Sequence, residues 1–249
     1  MRIDGRKLDQ MRPVKIETGV NLYAEGSCII EYGSTRVLCT ASLEEQPPRW
    51  LQGSGKGWVT AEYGMLPRST HDRLRREKSL TSGRTQEISR LIGRSLRAVT
   101  DLSLLGERSV VVDCDVLQAD GGTRTAAITG GFIALVIAIN KVVQEENLQT
   151  TPLLGYVSAI SAGWFEGQMI LDLNYYEDSQ ADADVNLVMT HRKEIVEVQG
   201  TSERKCINRT QLNEIADLCE KGCMELQQLQ LKALTHAKID VQKLLPSLS

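Results

Sequence analysis

The chain has 249 residues, 41% of them hydrophobic and 24% charged, with a formal net charge of −3, which is typical of a folded globular protein and not of a disordered one. Its six cysteines lack C-x-x-C spacing and it has only three histidines, which argues against a secreted disulfide scaffold and against a zinc site. No apolar segment follows the basic N-terminus, so we expect no secretory signal, no membrane span and a cytoplasmic protein.

Strand patterns dominate the start of the chain. Three segments alternate apolar and polar residues or run apolar with β-branched side chains: residues 14–16, 27–32 and 35–44. The sequence Tyr32-Gly33-Ser34 between the last two is typical of a hairpin turn. The polar residues 46–57 and the charged residues 67–82 are predicted as loops, with a short strand or turn at residues 58–65 between them.

Two helices and one strand are predicted in the middle of the chain. Between residues 85 and 102, apolar residues recur every three or four positions, which indicates an amphipathic helix. Residues 109–117 alternate as a strand, and residues 123–143 follow as a mostly apolar helix. Its longest uncharged stretch, residues 125–140, is shorter than the roughly 20 residues that cross a bilayer, so we expect a buried helix.

The second half repeats the theme of strands followed by a helix. It has strand patterns at residues 154–162, 168–173, 183–189 and 195–200, and a helix pattern at residues 211–233. Its hairpin turns at His191-Arg192-Lys193 and resembles the hairpin at Gly33, which favours an internal duplication. We therefore predict an α+β fold in one domain, residues 1–238, with halves at about 1–150 and 151–238 and a frayed tail at 239–249.

The charged residues are unevenly distributed along the chain. Residues 68–97 contain nine Lys or Arg and three acidic residues, whereas residues 166–184 contain six acidic residues and no Lys or Arg. A basic block and an acidic block in one chain suggest a phosphate-rich substrate together with a metal site.

The clearest motif joins a strand end to a helix start, Gln118-Ala119-Asp120-Gly121-Gly122-Thr123-Arg124-Thr125. Free N–H groups at a helix start bind anions, glycine lets a phosphate approach the backbone, and Thr123 and Arg124 can add a hydroxyl and a guanidinium. An ordinary turn capped by Thr123 explains the spacing equally well. Arg84 follows a glycine at the start of the earlier helix, and either joins the same phosphate or is a solvated first-turn residue.

Two further clusters concentrate charge of one sign. The basic cluster suits a nucleic-acid backbone, unless it is a flexible solvated loop, and it consists of Arg68, Arg73, Arg75, Arg76 and Lys78. Carboxylates of the acidic block, among them Asp178 and Asp184, lie between two predicted strands. They suit magnesium or manganese, which neutralise charge on a phosphoryl group, unless they are only a surface turn.

Taken together, these segments resemble the ribonuclease PH family over about residues 1–235. The matching motifs of the first half are Met1-Arg2-Ile3-Asp4-Gly5-Arg6, Trp58-Val59-Thr60-Ala61-Glu62-Tyr63-Gly64-Met65-Leu66-Pro67-Arg68, Gly83-Arg84-Thr85-Gln86-Glu87-Ile88, Asp113-Cys114-Asp115 and Gly122-Thr123-Arg124-Thr125. Those of the second half are Tyr175, Glu177-Asp178-Ser179, Asp184 and Val196-Glu197-Val198-Gln199-Gly200-Thr201. Departures from the family pattern are Ser82 for a common glycine, Asn174 for a usual aspartate on the metal side, and the run at residues 202–206.

The resemblance implies the ribonuclease PH fold, with two related β and α units like the second domain of ribosomal protein S5, assembled as a ring-shaped homohexamer built from dimers. It implies that inorganic phosphate, the co-substrate, binds at Arg84, Gly122, Thr123 and Arg124. It also implies a catalytic magnesium or manganese at Asp178 and Asp184, and contact of residues 68–78 with tRNA away from its 3′ end.

The implied activity is that of a phosphorolytic 3′-to-5′ exoribonuclease, or tRNA nucleotidyltransferase, acting on tRNA precursors and other RNA 3′ ends. It would release nucleoside 5′-diphosphates and run in both directions. Two rival functions are a non-catalytic RNA-binding ring subunit, which would be expected to lose phosphate or metal residues, and a hydrolytic nuclease, which would not need phosphate.

Overall fold

Five strands form one mixed sheet in the first half of the protein, in a computed structural model that describes residues 2–76, 82–146 and 150–248. The strands are β1 (Val14–Thr18), β2 (Gly26–Tyr32), β3 (Thr35–Glu44), β4 (Trp58–Met65) and β5 (Ser109–Gln118). Their order is β1-β2-β3-β5-β4, with β4 parallel to β5 and the other pairs antiparallel. The predicted β2–β3 hairpin is confirmed, with Gly33 at φ 56°, a left-handed backbone that glycine adopts without steric cost.

Four antiparallel strands form the second sheet. They are β6 (Val157–Phe165), β7 (Gln168–Leu171), β8 (Ala183–Thr190) and β9 (Ile195–Ser202), in the order β7-β6-β8-β9. The predicted β8–β9 hairpin is also confirmed, and Lys193 in its turn has φ 63°. The second sheet therefore lies entirely within the predicted second half of the chain.

Three long helices pack on the two sheets. The helices of the described residues are α1 (Gly83–Arg97), α2 (Leu102–Leu105), α3 (Thr123–Glu145), α4 (Tyr175–Gln180), α5 (Arg209–His236) and α6 (Val241–Leu244). Helix α1 packs on β4, α5 packs on β6, and α3 lies between the sheets in contact with β2, β3 and β6. Helix α3 is long and apolar enough to cross a membrane, but 78% of its apolar window is buried inside the protein, as predicted for a core helix.

One hydrophobic core is shared by both halves of the chain. The buried cysteines Cys28, Cys39 and Cys114 lie in register across β2, β3 and β5. Helix α3 comes so close to this row that a Cβ on Gly130 would lie 2.8 Å from Cys39 Sγ. Small residues in the sheet and in the helix thus bring the start of α3 against the end of β5, and the α+β architecture is as predicted.

The short elements and the C-terminal segment differ from the sequence-based expectation. Helices α2, α4 and α6 are too short to give a periodic apolar signal, and none was predicted. Over residues 239–248 the segment expected to fray instead contains α6. Val241, Leu244 and Leu245 are buried there, and burial of these side chains against the core offsets the loss of chain entropy.

Candidate functional site

The chain reverses direction between β5 and α3 in residues 120–122, here called the glycine turn. Gly121 and Gly122 have φ of 75° and 67°, a conformation that favours glycine. Gly122 is the N-cap of α3, and among the described residues no side chain caps this helix. The alternative of a cap by Thr123 is therefore wrong, since the Thr123 hydroxyl lies 2.9 Å from the Tyr63 hydroxyl instead. The first amides of α3 are therefore without a side-chain acceptor from the described residues, which is the condition under which a helix start can bind an anion.

Arg124, in the first turn of α3, links the two halves of the protein. Its guanidinium donates to Gln199 Oε1 on β9 at 3.1 Å and lies 3.7 Å from Glu87 Oε2 on α1. Gln199 Nε2 donates to Glu87 Oε1 at 2.6 Å, which closes a triangle of three side chains. These contacts restrain Arg124 while 21% of its side chain stays exposed, so the guanidinium is held in a defined position at the surface.

Arg84 is the second residue of α1, whose N-cap is Ser82. The Ser82 hydroxyl accepts the Thr85 N–H at 3.1 Å, so the serine that replaces a common glycine caps this helix. Arg84 is exposed, and within the described part of the chain it forms no ion pair. Burial raises the pKa of Tyr63, and the charges of Arg84 and Arg124 oppose that rise. Both arginines therefore lie near the Tyr63 hydroxyl, beside the start of α3.

The predicted carboxylates lie on α4 and near the start of β8. Desolvation raises the pKa of Asp178 and of Asp184, although Asp178 keeps an exposed surface. The charges of Arg84 and Arg124 lower the pKa of Asp178 in opposition to desolvation, and Arg124 acts in the same way on Asp184. These residues come from four separate elements, and their charges act on one another through Asp178: both arginines affect Asp178, and Asp178 and Arg124 affect Asp184.

Glu203 is a neighbour of this group that the sequence analysis missed. It directly follows β9, and its N–H donates to the Asp182 carbonyl at 3.0 Å. Its charge contributes to the raised pKa of both Asp178 and Asp184. The only sequence signal was that residues 202–206 depart from the family pattern, which gave no reason to connect Glu203 with the carboxylates.

Asn174 has a structural role at the start of α4. Its side-chain oxygen accepts the Glu177 N–H at 3.0 Å, and the Glu177 carboxylate accepts the Asn174 N–H at 3.1 Å, which forms a capping box. An asparagine oxygen serves this purpose as well as an aspartate oxygen. The departure from aspartate at Asn174 therefore leaves the helix that carries Asp178 intact.

The pair Asp178 and Asp184 has the chemistry of a magnesium site. Mg²⁺ is usually bound by one or two carboxylates together with water and substrate phosphate oxygens. The negative charges of Asp178 and Glu203 contribute to the raised pKa of Asp184, and a divalent cation would relieve this repulsion. In the ranges 2–76, 82–146 and 150–248 no group of three or more His, Cys, Asp or Glu side chains is arranged so that it could hold a metal ion. An open site with two protein ligands fits the residues present.

The predicted RNA-binding loop follows β4 and leads towards α1. Its arginines are exposed, and Arg68 donates to the His71 carbonyl at 2.9 Å; they are Arg68, Arg73, Arg75 and Arg76. Lys78, the fifth predicted residue, lies outside the described residues. The Ala119 N–H donates to the Ser69 carbonyl at 2.8 Å, so the loop begins beside the residue that precedes the glycine turn.

Family models match both halves of the chain. The model described as the 3′ exoribonuclease family, domain 1, matches residues 10–139, and its domain 2 matches residues 155–222. Ribonuclease PH of Bdellovibrio bacteriovorus is 60% identical over 226 residues, which cover 91% of this chain and 93% of that protein. Ribonuclease PH of Crocosphaera subtropica is 56% identical over 236 residues, which cover 95% of this chain and 98% of that protein.

Solved structures with the same fold are much more distant in sequence. Rice Rrp46 has a TM-score of 0.74 at 21% identity, covering 94% of this chain and all of that chain. A chain of the Archaeoglobus fulgidus exosome, solved with RNA bound to the active site, has a TM-score of 0.76 at 20% identity, covering 92% of each chain. At this identity the likeness shows a common fold and nothing more.

Proposed function

Since the chain belongs to the ribonuclease PH family of 3′ exoribonucleases, we propose that it shortens RNA from the 3′ end by phosphorolysis, as a tRNA nucleotidyltransferase. Inorganic phosphate is the co-substrate, and the products are a nucleoside 5′-diphosphate and an RNA shorter by one nucleotide. The reaction runs in both directions, because one phosphoric ester linkage is exchanged for an anhydride of similar energy. The substrates are tRNA precursors and other RNA 3′ ends.

One observation supports this proposal: Arg84 and Arg124, at two helix starts from distant parts of the chain, both act electrostatically on the Tyr63 hydroxyl and on the carboxylate of Asp178. We assign the phosphate to this place. The amides of Gly122 and Thr123 would donate to its oxygens, and the two guanidiniums would neutralise its charge. The Thr123 hydroxyl, already hydrogen-bonded to Tyr63, would be oriented by that bond.

The chemical step needs no nucleophile from the protein. An oxygen of the bound phosphate attacks the phosphorus of the terminal linkage in line, and the bond from that phosphorus to the 3′ oxygen of the preceding nucleotide breaks. The leaving 3′ oxygen takes up a proton and becomes the new RNA terminus. Arg84 and Arg124 position the attacking phosphate and stabilise charge in the transition state, which is how phosphoryl transfers are generally accelerated.

Asp178 and Asp184 would hold a magnesium or manganese ion at this site. When bound, the ion would supply neutralisation of the charge on the transferring phosphoryl group and on the leaving oxygen. Glu203 lies near enough to add negative charge to the ion's surroundings.

The exposed arginines at residues 68–76, with Lys78, would bind the tRNA body through its phosphates, away from the 3′ end. Contacts of these side chains with phosphates would strengthen tRNA binding and fix the position of the tRNA on the protein, without selecting particular bases. We further propose that the chain assembles as a homohexameric ring built from dimers, and that it acts in the cytoplasm.

The rival functions have less support. A non-catalytic ring subunit is the weaker candidate because the relatives at 56% and 60% identity are named ribonuclease PH, whereas the exosome chains are only about 20% identical. A hydrolytic nuclease is the weaker candidate for the same reason, since both of these relatives carry the name of a phosphorolytic family.

The decisive experiment is incubation of a 3′-extended tRNA with and without inorganic phosphate, followed by identification of the released nucleotide. We expect nucleoside diphosphates with phosphate and no shortening without it. Release of monophosphates independent of phosphate would indicate a hydrolase, and no release under either condition would indicate a binding subunit.

The phosphate site can be tested with Arg84→Ala and Arg124→Ala. Each is expected to raise the KM for phosphate and to lower kcat/KM for phosphate by about 100-fold, since each removes a charge-assisted contact to the co-substrate. The control is Arg90→Ala, an exposed arginine of the same helix as Arg84. An unchanged phosphate KM in both site variants would contradict the assignment.

A further inference from the structure

We propose that Arg12 is a positioning residue that fixes the glycine turn against helix α4, and so sets the distance between the bound phosphate and the carboxylate Asp178. This inference rests on the proposed function, because it concerns the relative placement of the two parts of that site. Arg12 lies in the N-terminal segment before β1, far in sequence from both parts, and no sequence motif includes it.

The guanidinium of Arg12 contacts both parts at once. Arg12 is 5% exposed, and Asp172, two residues before the N-cap of α4, is 1% exposed. Arg12 Nε and Nη2 donate to the two Asp172 carboxylate oxygens at 2.9 and 2.6 Å, and the Arg12 backbone N–H donates to the same group at 2.7 Å. On its other side, Nη1 donates to the Asp120 carbonyl and Nη2 to the Gly121 carbonyl at 3.4 Å.

The glycine turn also touches the start of α4 directly. A Cβ on Gly121 would lie 2.6 Å from the Leu173 carbonyl oxygen and 3.0 Å from the Tyr175 nitrogen, so only glycine allows this approach. The Asp120 carboxylate accepts the Tyr175 N–H at 3.2 Å. The turn and the start of α4 are therefore in contact through backbone atoms. The buried Arg12 guanidinium adds hydrogen bonds to the segments on both sides of this contact.

Two more arginines hold the other side of α4. Arg2 donates through two nitrogens to the fully buried Glu177 carboxylate at 2.7 and 2.6 Å. Arg6 donates to Glu177 at 3.3 Å and to the Asp172 carbonyl at 2.9 Å. Glu177 directly precedes Asp178, so the backbone that carries the proposed metal ligand is fixed by this buried ionic network.

A buried ionic network of this kind is not needed for stability alone. Apolar residues of similar volume often stabilise a core equally well, because desolvation of buried charges offsets most of their attraction. The planar guanidinium does fix geometry, since its donors point in set directions and can serve a carboxylate and two carbonyls together. Misplacement of a catalytic group by about 1 Å lowers the reaction rate roughly 100-fold. The positions of the site residues are therefore the property that Arg12 would control.

The test is Arg12→Lys, which keeps the charge but cannot donate to Asp172 and to the glycine turn in the same way. We expect the phosphate KM to rise about tenfold and kcat to fall about tenfold, while the KM for a short RNA stays within about twofold of the wild-type value. The matched control is Arg36→Lys, whose arginine forms an exposed ion pair with Glu31. The control is expected to leave all three parameters unchanged.

A merely structural role predicts a different result. The melting temperature and the active fraction would fall, and the phosphate KM of the remaining folded enzyme would be that of the wild type. That outcome would overturn the proposal. If Arg12→Lys leaves the phosphate KM unchanged while Arg124→Ala raises it, only the role of Arg12 is wrong. If neither variant changes it, the proposed phosphate site fails as well.

Asp120→Ala provides a second variant if Arg12→Lys does not fold. The Asp120 side chain is 35% exposed, so its removal is compatible with a folded protein. The substitution removes the hydrogen bond that the Asp120 carboxylate accepts from the Tyr175 N–H. We expect the same pattern, a raised phosphate KM with an unchanged RNA KM, at a few-fold instead of tenfold. A wild-type phosphate KM in folded Asp120→Ala would count against the positioning role of this contact.

Discussion

Two pairs of partly buried aspartates have different surroundings, although the pKa of all four is raised. The first pair is Asp178 and Asp184, and the second is Asp113 and Asp115. Desolvation raises the pKa of Asp178 and Asp184, and it also raises the pKa of Asp113 and Asp115 on β5. At Asp178 and Asp184 the charges of arginines oppose the rise. At Asp113 the charges of Asp115 and Glu62 add to the rise, and in the described part of the chain no arginine opposes it.

Strand geometry explains why the two pairs have different neighbours. Successive residues of a strand point to opposite faces of the sheet. Cys114 faces the core and helix α3, so Asp113 and Asp115 on either side of it point to the other face of the sheet. They are separated by the sheet from the start of α3 and from Arg124.

A raised pKa therefore does not by itself identify a functional carboxylate. Burial alone raises the pKa of an aspartate wherever opposite charges and hydrogen bonds do not outweigh it. What distinguishes Asp178 and Asp184 is the presence of arginines from two helix starts in the same place. Substitutions in each region can show whether this distinction holds.

The largest expected effect is a loss of activity on substitution of Asp184, which belongs to the pair near the arginines. Asp184→Asn should lower kcat by about 100-fold, equivalent to about 2.7 kcal/mol of transition-state stabilisation, because it removes one of two proposed metal ligands. It should also raise the magnesium concentration needed for half-maximal activity. Asp113→Asn is the matched control, with a similarly shifted aspartate and no arginine neighbour, and it should retain full activity. Equal losses in the two variants would remove the distinction between the pairs.

A smaller effect, on RNA binding, is expected on replacement of arginines in the predicted RNA-binding loop. Combined replacement of Arg73, Arg75 and Arg76 by alanine should weaken tRNA binding about tenfold and reduce the salt dependence of binding by about one slope unit for each phosphate that is no longer neutralised. Turnover of a short RNA that does not reach the loop should stay unchanged, which separates these arginines from Arg84 and Arg124. Binding measured at several salt concentrations tests this, and an unaltered slope would exclude the loop from RNA binding.

The smallest expected effect is a change in the free energy of unfolding on substitution of Asp113, which belongs to the control pair. A carboxyl whose pKa is raised by folding destabilises the folded state above that pKa, and the penalty disappears as the pH falls through the raised pKa towards the unfolded value near 4. Asp113→Asn should therefore raise the free energy of unfolding at pH 7 by less than about 1 kcal/mol, since the site is partly solvated. Denaturant titrations at pH 7 and at pH 4 measure it. A gain that is as large at pH 4 as at pH 7 would show that ionisation of Asp113 is not its cause.

Most of the long elements could be predicted from the sequence because their side-chain periodicity records which face is buried. Among the described residues, the three long helices and every strand except β4 lie where the sequence pattern predicts them, whereas at residues 58–65 the sequence left a strand and a turn as alternatives. The parallel pairing of β4 beside β5 could not be predicted, since pairing depends on partners that are distant in the chain. The burial of the C-terminal helix depends in the same way on a core surface formed by other elements.

For the candidate site, the residue types could be read from the sequence: two glycines before a helix, arginines at two helix starts, and aspartates in an acidic segment. These residue types are explained by local chemistry and by the resemblance to a family. The roles of the residues in the reaction stay predictions. The folded chain was needed to show that the charges of Arg84, Arg124 and Glu203 act on Asp178, and that Arg12 connects the glycine turn to the segment before α4. Convergence of residues some 160 positions apart arises from the packing of two sheets around α3, and no local pattern records it.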